Sequence, residues 1–141
     1  MRESRRYVRF SIEGNAKLHP EVRYRIEGSA NLQPEDGTSR VIKADLVDIC
    51  YLGIGVHSNE EIAAGTDVKF ELVAKIWDDP VIGRGKVKYA VKIKKYNIDI
   101  FRLGIEFIDI NKQIVICIIT KIQRIISAQI RKKEQSKNRP Y

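Results

Sequence analysis

Residues 100–108 read Ile100-Phe101-Arg102-Leu103-Gly104-Ile105-Glu106-Phe107-Ile108, and residues 111–122 read Asn111-Lys112-Gln113-Ile114-Val115-Ile116-Cys117-Ile118-Ile119-Thr120-Lys121-Ile122. The hydrophobic period changes between these two stretches, and that change decides the fold. The first has the composition of a strand, apolar residues alternating with charges. From residue 111 to 133 there is neither Gly nor Pro, and Val115, Ile118, Ile119, Ile122, Ile125, Ile126 and Ile130 fall at offsets of three and four. That is the stripe of an amphipathic helix. Asp109 or Asn111 is placed to cap it, and a basic last turn suits its dipole. The Ile density over residues 114–119 also fits a strand, so the helix start stays open on these grounds.

Working upstream, short strand-like runs cover residues 8–18, 22–32, 40–47, 53–57, 67–76, 81–91 and 100–108. Turn chemistry separates them: His19-Pro20, Gln33-Pro34-Glu35-Asp36-Gly37, Ala64-Gly65, Asp78-Asp79-Pro80 and the polar residues 94–97. Lys69-Phe70-Glu71-Leu72 shows the alternation of a half-buried antiparallel strand. Strands with turns at roughly 8–12-residue spacing point to a small barrel or sandwich, and the barrel is the expectation. The predicted organisation is an arginine-rich N-terminal loop (residues 1–10), a β-barrel (8–110), a C-terminal helix (111–133) and a basic tail (134–141). The helix is expected to cover an open end or face of the barrel; a homo-oligomeric helix–helix contact is the second role for its Ile stripe.

The 141 residues suffice for one domain with a core, and the net charge is +8. Residues 1–10 carry +3 and residues 131–141 carry +4, leaving +1 for everything between. A nearly neutral body disfavours a nucleic-acid binder, which needs a basic face with aromatic platforms. Cys50 and Cys117 read as buried thiols, not as a bridge, which suits a reducing compartment. The longest apolar run, residues 114–119, is too short for membrane insertion, and no signal segment opens the chain. A cytoplasmic protein is expected.

Residues 9–20, Arg9-Phe10-Ser11-Ile12-Glu13-Gly14-Asn15-Ala16-Lys17-Leu18-His19-Pro20, recur fourteen residues later as Arg23-Tyr24-Arg25-Ile26-Glu27-Gly28-Ser29-Ala30-Asn31-Leu32-Gln33-Pro34, identical at seven of twelve positions. The unit is too short for a solenoid repeat and occurs twice. It reads as a duplicated strand.

Catalytic patterns are missing. His19 and His57 have no partner at metal-ligand spacing, and the sequence holds no nucleophile elbow, zinc-protease helix or phosphate loop. Two segments do carry chemistry. Arg5-Arg6-Tyr7-Val8-Arg9 offers planar forks for phosphate or for the O6/N7 edge of guanine, with Arg5 and Arg9 on one side of an extended segment. Asp48-Ile49-Cys50-Tyr51-Leu52-Gly53 pairs a carboxylate, able to accept from a guanine edge, with a glycine where a ligand can approach the backbone. Alone, each also reads as ordinary: a solvated charge run and an Asx turn.

Together they resemble the PilZ domain, the bacterial receptor module for cyclic di-GMP, whose members carry Arg-x-x-x-Arg and Asp/Asn-x-Ser-x-x-Gly motifs. Arg5 and Arg9 match the first motif; Asp48 and Gly53 match the second, with Cys50 where the family has serine. Gly65, Leu103-Gly104-Ile105-Glu106-Phe107 and the closing helix extend the resemblance over nearly the whole chain. It implies a six-stranded antiparallel barrel with a C-terminal helix. It also implies a non-enzymatic, cofactor-free cyclic di-GMP receptor that signals to an effector protein. Arg5 and Arg9 would bind phosphates and guanine edges, Arg6 would add a contact, Asp48 would hold a guanine, and Gly53 would allow its approach. Tyr89 is a further candidate, for packing on a base. Two departures stand out. Cys50 supplies a weaker donor than serine, and the duplicated strand stretches the separation from Arg9 to Asp48 to 39 residues. If the second copy is the first barrel strand, Arg5 and Arg9 are displaced from the site. The alternative reading is then a degenerate PilZ scaffold that binds protein partners without nucleotide.

Overall fold

The computed structural model of the chain describes residues 22–137. Six strands, β1 (Tyr24–Pro34), β2 (Ile42–Ile49), β3 (Gly53–Ser58), β4 (Asp67–Ala74), β5 (Val81–Lys95) and β6 (Ile98–Asp109), precede one helix, α1 (Lys112–Lys137). The strands close into an antiparallel barrel in the order β1-β2-β3-β6-β5-β4. The expected barrel with a C-terminal helix is the observed fold. Alternation delivers it: Ile42, Ala44 and Leu46 on β2, and Val68, Phe70 and Leu72 on β4, are buried while most residues between them face outward.

β1 is the second copy of the repeat. The run at residues 8–18 lies outside the described residues. The strands either side of residues 94–97 are longer than the sequence suggested. Pairing continues through Lys92↔Phe101 to Lys95↔Ile98, and the turn contracts to Tyr96 and Asn97, both at positive φ (53° and 64°). Two successive positive φ angles make the hairpin turn whose twist matches the strands it joins.

The helix starts at Lys112, capped by Asn111, whose Oδ1 accepts from the Gln113 amide at 3.0 Å. Residues 114–119 are therefore helical. The helix also runs on to Lys137, so the first part of the expected tail belongs to it. Val115, Ile118, Ile119 and Ile122 join the barrel's apolar cluster, each contributing about 1.5–3 kcal/mol on burial. A cation at a helix N-terminus is unfavourable by about 0.3–1 kcal/mol. Lys112 offsets this locally, with Nζ donating to the Tyr51 carbonyl (3.2 Å) and lying 4.6 Å and 5.2 Å from the Tyr51 and Phe107 ring centroids. Gln123 donates to the Tyr24 hydroxyl at 3.0 Å. Tyr24, Tyr51 and Phe107 mark the end of the barrel where β1 and β3 begin and β2 and β6 finish, so the first half of α1 covers that end.

Two expectations need amendment. Cys50 is buried, but Cys117 is exposed; it lies on the helix face opposite Val115, Ile118 and Ile122. Beyond Gln123 the described helix residues are exposed, including Ile125, Ile126 and Ile130. By length and composition the segment Lys112–Glu134 is long and apolar enough to cross a membrane, although no single apolar run in it is.

Candidate functional site

The outer face of β2, β3, β6 and β5 carries a cluster built by two irregularities and a glycine floor. On β2 the register against β3 shifts between Leu46 and Asp48. Leu46 and Ile49 point inward, so both Val47 and Asp48 stay on the outside. On β5 the register against β6 shifts between Val87 and Tyr89, which likewise leaves Lys88 and Tyr89 outside between Val87 and Ala90. Such bulges re-aim side chains. Here they turn Asp48 and Tyr89 onto the same surface.

Gly55 and Gly104 are cross-strand partners beneath it. A Cβ on Gly55 would lie 2.5 Å from Asp48 Oδ1 and 2.6 Å from Arg102 Nη2, and one on Gly104 would run into the Tyr89 ring. The two missing side chains are the space in which the carboxylate, the guanidinium and the phenol lie flat.

Asp48 is held from both sides. Arg23 Nε donates to Oδ1 at 2.9 Å and Arg102 Nη2 to Oδ2 at 2.8 Å. Arg102 Nε also donates to the Tyr89 hydroxyl at 3.3 Å, and Arg23 Nη1 to the Cys50 thiol at 3.3 Å. Burial alone would pull the Arg102 guanidinium down. The bonds to Asp48 and Tyr89 more than reverse this and hold it above the ordinary arginine value. A carboxylate offers about four lone-pair sites, so two on Asp48 stay available to a further donor.

Beside this cluster opens a cleft of about 120 Å³ lined by Arg23, Cys50, Gly53, Lys88, Tyr89 and Glu106, among others. Its size is well below the roughly 300 Å³ at which pockets enclose a whole ligand. It can take the edge of one flat group. The Cys50 amide donates to the Gly53 carbonyl at 2.8 Å and closes the β2–β3 turn. A Cβ on Gly53 would meet the Ile105 carbonyl oxygen, so glycine here sets the close approach of β3 to β6.

Of the residues singled out from the sequence, Asp48, Cys50 and Gly53 come together at this site, with Tyr89 on its rim. Arg5, Arg6 and Arg9 lie outside the described residues. Arg23 and Arg102 were missed. The repeat does signal Arg23, because it stands in the second copy where Arg9 stands in the first. Arg102 has no comparable signal, since its role depends on the register of β6 against β3. Among the described residues no group of acidic, Cys and His side chains could hold a metal. No family model matches the chain, and no curated protein matches it.

Proposed function

We propose that the protein is a non-catalytic cyclic di-GMP receptor of PilZ type, a bacterial cytoplasmic adaptor that passes ligand occupancy to an effector protein. One observation supports this best. A carboxylate with unused acceptor sites is fixed by two arginines beside an open cleft, and an aromatic ring stands at that cleft's rim. Asp48 accepts the N1–H and N2–H₂ donors of a guanine, Tyr89 packs on its face, and Gly53 lets the base approach the β2–β3 turn. The cleft takes one base edge, so the phosphates fall to arginines: the resemblance gives them to Arg5 and Arg9, with Arg6 adding a contact, and because β1 is the second copy this reading requires those arginines to return to the site from beyond β1. The exposed Ile125, Ile126 and Ile130 of α1 are the homo-oligomer contact in this reading.

Calorimetric titration of the full chain with cyclic di-GMP tests the proposal. Wild type binds, Arg9→Ala and Asp48→Ala lose the signal, and Cys50→Ser binds about threefold to tenfold tighter through one stronger hydrogen bond. No heat at high micromolar protein overturns it. A second reading, a scaffold that binds protein partners without nucleotide, draws on the self-contained bonding of Asp48 with Arg23 and Arg102. It requires that wild type and Cys50→Ser both stay silent.

A further inference from the structure

Strand β5 outruns its neighbour β4. Their pairing ends at Asp67↔Lys86. One step further, the Val87 amide donates to the Thr66 carbonyl at 2.9 Å and the Val87 carbonyl accepts from the Gly65 amide at 2.7 Å. Pairing with β6 continues to Lys95↔Ile98, so residues 88–95 are held from the β6 side alone. The register says which backbone groups this exposes. The two-residue turn at Tyr96-Asn97 makes Lys95↔Ile98 the hydrogen-bonded pair that closes the hairpin. In an antiparallel ladder every second pair exchanges both bonds, so Ile93↔Ile100, Val91↔Arg102 and Tyr89↔Gly104 are the bonded ones. The N–H and C=O groups of Ala90, Lys92 and Lys94 point the other way, and among the described residues no strand or loop meets them.

The side chains along this edge sort by face. Tyr89 is on the outer surface, so Val91 and Ile93 follow it there, and Val91 is exposed. Ala90 packs against the barrel core, which places Lys92 and Lys94 on that opposite face. Both lysines are exposed. Lys94 Nζ lies 3.7 Å from Asp99 Oδ1, an exposed pair that holds the lysine weakly.

We infer that this edge of β5 is a docking site for an extended acidic segment of a partner protein, which adds to the sheet as an antiparallel strand. Opposite Ala90, Lys92 and Lys94 its residues exchange main-chain hydrogen bonds. Directly opposed residues share a face, so carboxylates at alternate positions meet the two lysines and apolar residues between them meet Val91 and Ile93. Charge selects this occupant over a second copy. A twofold β5–β5 pairing that used all three residues would set Lys92 against itself, and like charges directly opposite are destabilising. Lysines on an edge guard against such self-pairing, and the same charge favours an acidic strand. The inference stands apart from the cyclic di-GMP reading, and its test uses no nucleotide.

The probe is a capped peptide, Glu-Val-Glu-Val-Glu-Val, titrated into the full chain and read by amide hydrogen exchange resolved by NMR. The amides of Ala90, Lys92 and Lys94 are expected to exchange rapidly in the chain alone and to slow when the peptide is added, while those of Val91 and Ile93, bonded to β6, change little. Lys92→Glu with Lys94→Glu weakens this peptide about tenfold or more and makes Lys-Val-Lys-Val-Lys-Val the tighter ligand. Methylating the three Glu amide nitrogens keeps the charge, removes the main-chain donors and abolishes binding. Lys92→Pro blocks the peptide with the urea midpoint near wild type, because proline is tolerated where the N–H faces away from the sheet. Three results overturn the inference. They are no slowing at about 1 mM peptide, equal binding of the methylated peptide, or protection of the Lys92 and Lys94 amides in the chain alone, which means that the edge is already taken.

Discussion

The bonding around Asp48 predicts a ranking of its two arginines. The Asp48 side chain is 15% exposed, that of Arg102 24% and that of Arg23 38%, so the two pairs differ in solvent screening and little in length. At an effective dielectric of about 20, unit charges 4 Å apart attract by about 4 kcal/mol before desolvation and side-chain ordering are subtracted. Exposed pairs retain about 0–1 kcal/mol of that, whereas breaking a fully buried pair costs about 3–5 kcal/mol. Asp48–Arg102 lies between these limits, and a coupling of about 1.5–2.5 kcal/mol is expected. Asp48–Arg23, discounted for its exposure, should give under about 1 kcal/mol. The assay is a pair of double-mutant cycles in urea, Asp48→Ala with Arg102→Met and Asp48→Ala with Arg23→Met, read by Trp77 fluorescence. Salt at about 1 M shortens the screening length to about 3 Å and should erode the Arg23 coupling proportionally more. A coupling to Arg23 equal to or above that to Arg102 would refute this ranking by solvent screening.

The glycine floor makes an ordering prediction. Gly53→Ala drives a Cβ against backbone, the Ile105 carbonyl, while Gly104→Ala meets the half-exposed Tyr89 ring, which can swing away. Overpacking costs about 1–3 kcal/mol, so Gly104→Ala belongs near the bottom of that range and Gly53→Ala at or above the top; urea midpoints in the reverse order contradict the geometry. His57 supplies a pH dependence. Desolvation first, then the charges of Lys95 and Arg102, lower its pKa from 6.5, against the opposing pull of Asp45 and Asp48, and its Nδ1 is buried without a partner. The unfolded chain therefore binds the proton more readily, and the contribution of His57 is fully present above the unfolded pKa of about 6.5 and is lost as pH falls through the lower folded value. His57→Gln should flatten the fall in stability between about pH 7 and pH 5; an unchanged slope counts against the assignment.

Much of the barrel was legible because its signals are local. Alternation along β2 and β4, the turns at Pro34–Gly37 and Asp78–Pro80, and the three-and-four spacing of α1 each depend on residues a few positions apart. Cys117 was misplaced because an apolar stretch does not say which face of a helix meets the barrel. The strands around Tyr96-Asn97 were cut short because lysines flank the turn, and pairing between β5 and β6 overrides that polarity. Within the site, the type and spacing of Asp48, Cys50 and Gly53 could be read directly, and Tyr89 could only be guessed.

The sequence by itself determined a strand-rich barrel closed by an amphipathic helix, a nearly neutral body between basic ends, and a twelve-residue unit that recurs with seven identities. It fixed these because periodicity, turn chemistry and charge are properties of neighbouring residues. Only the tertiary structure decided which copy of the strand stands in the described barrel, and that Arg23 and Arg102, 25 and 54 residues from Asp48, converge on its carboxylate. The physical reason lies in the register. A bulge is a mismatch between two strands, and the bulges that turn Asp48 and Tyr89 onto one face exist only once β2 is paired with β3 and β5 with β6.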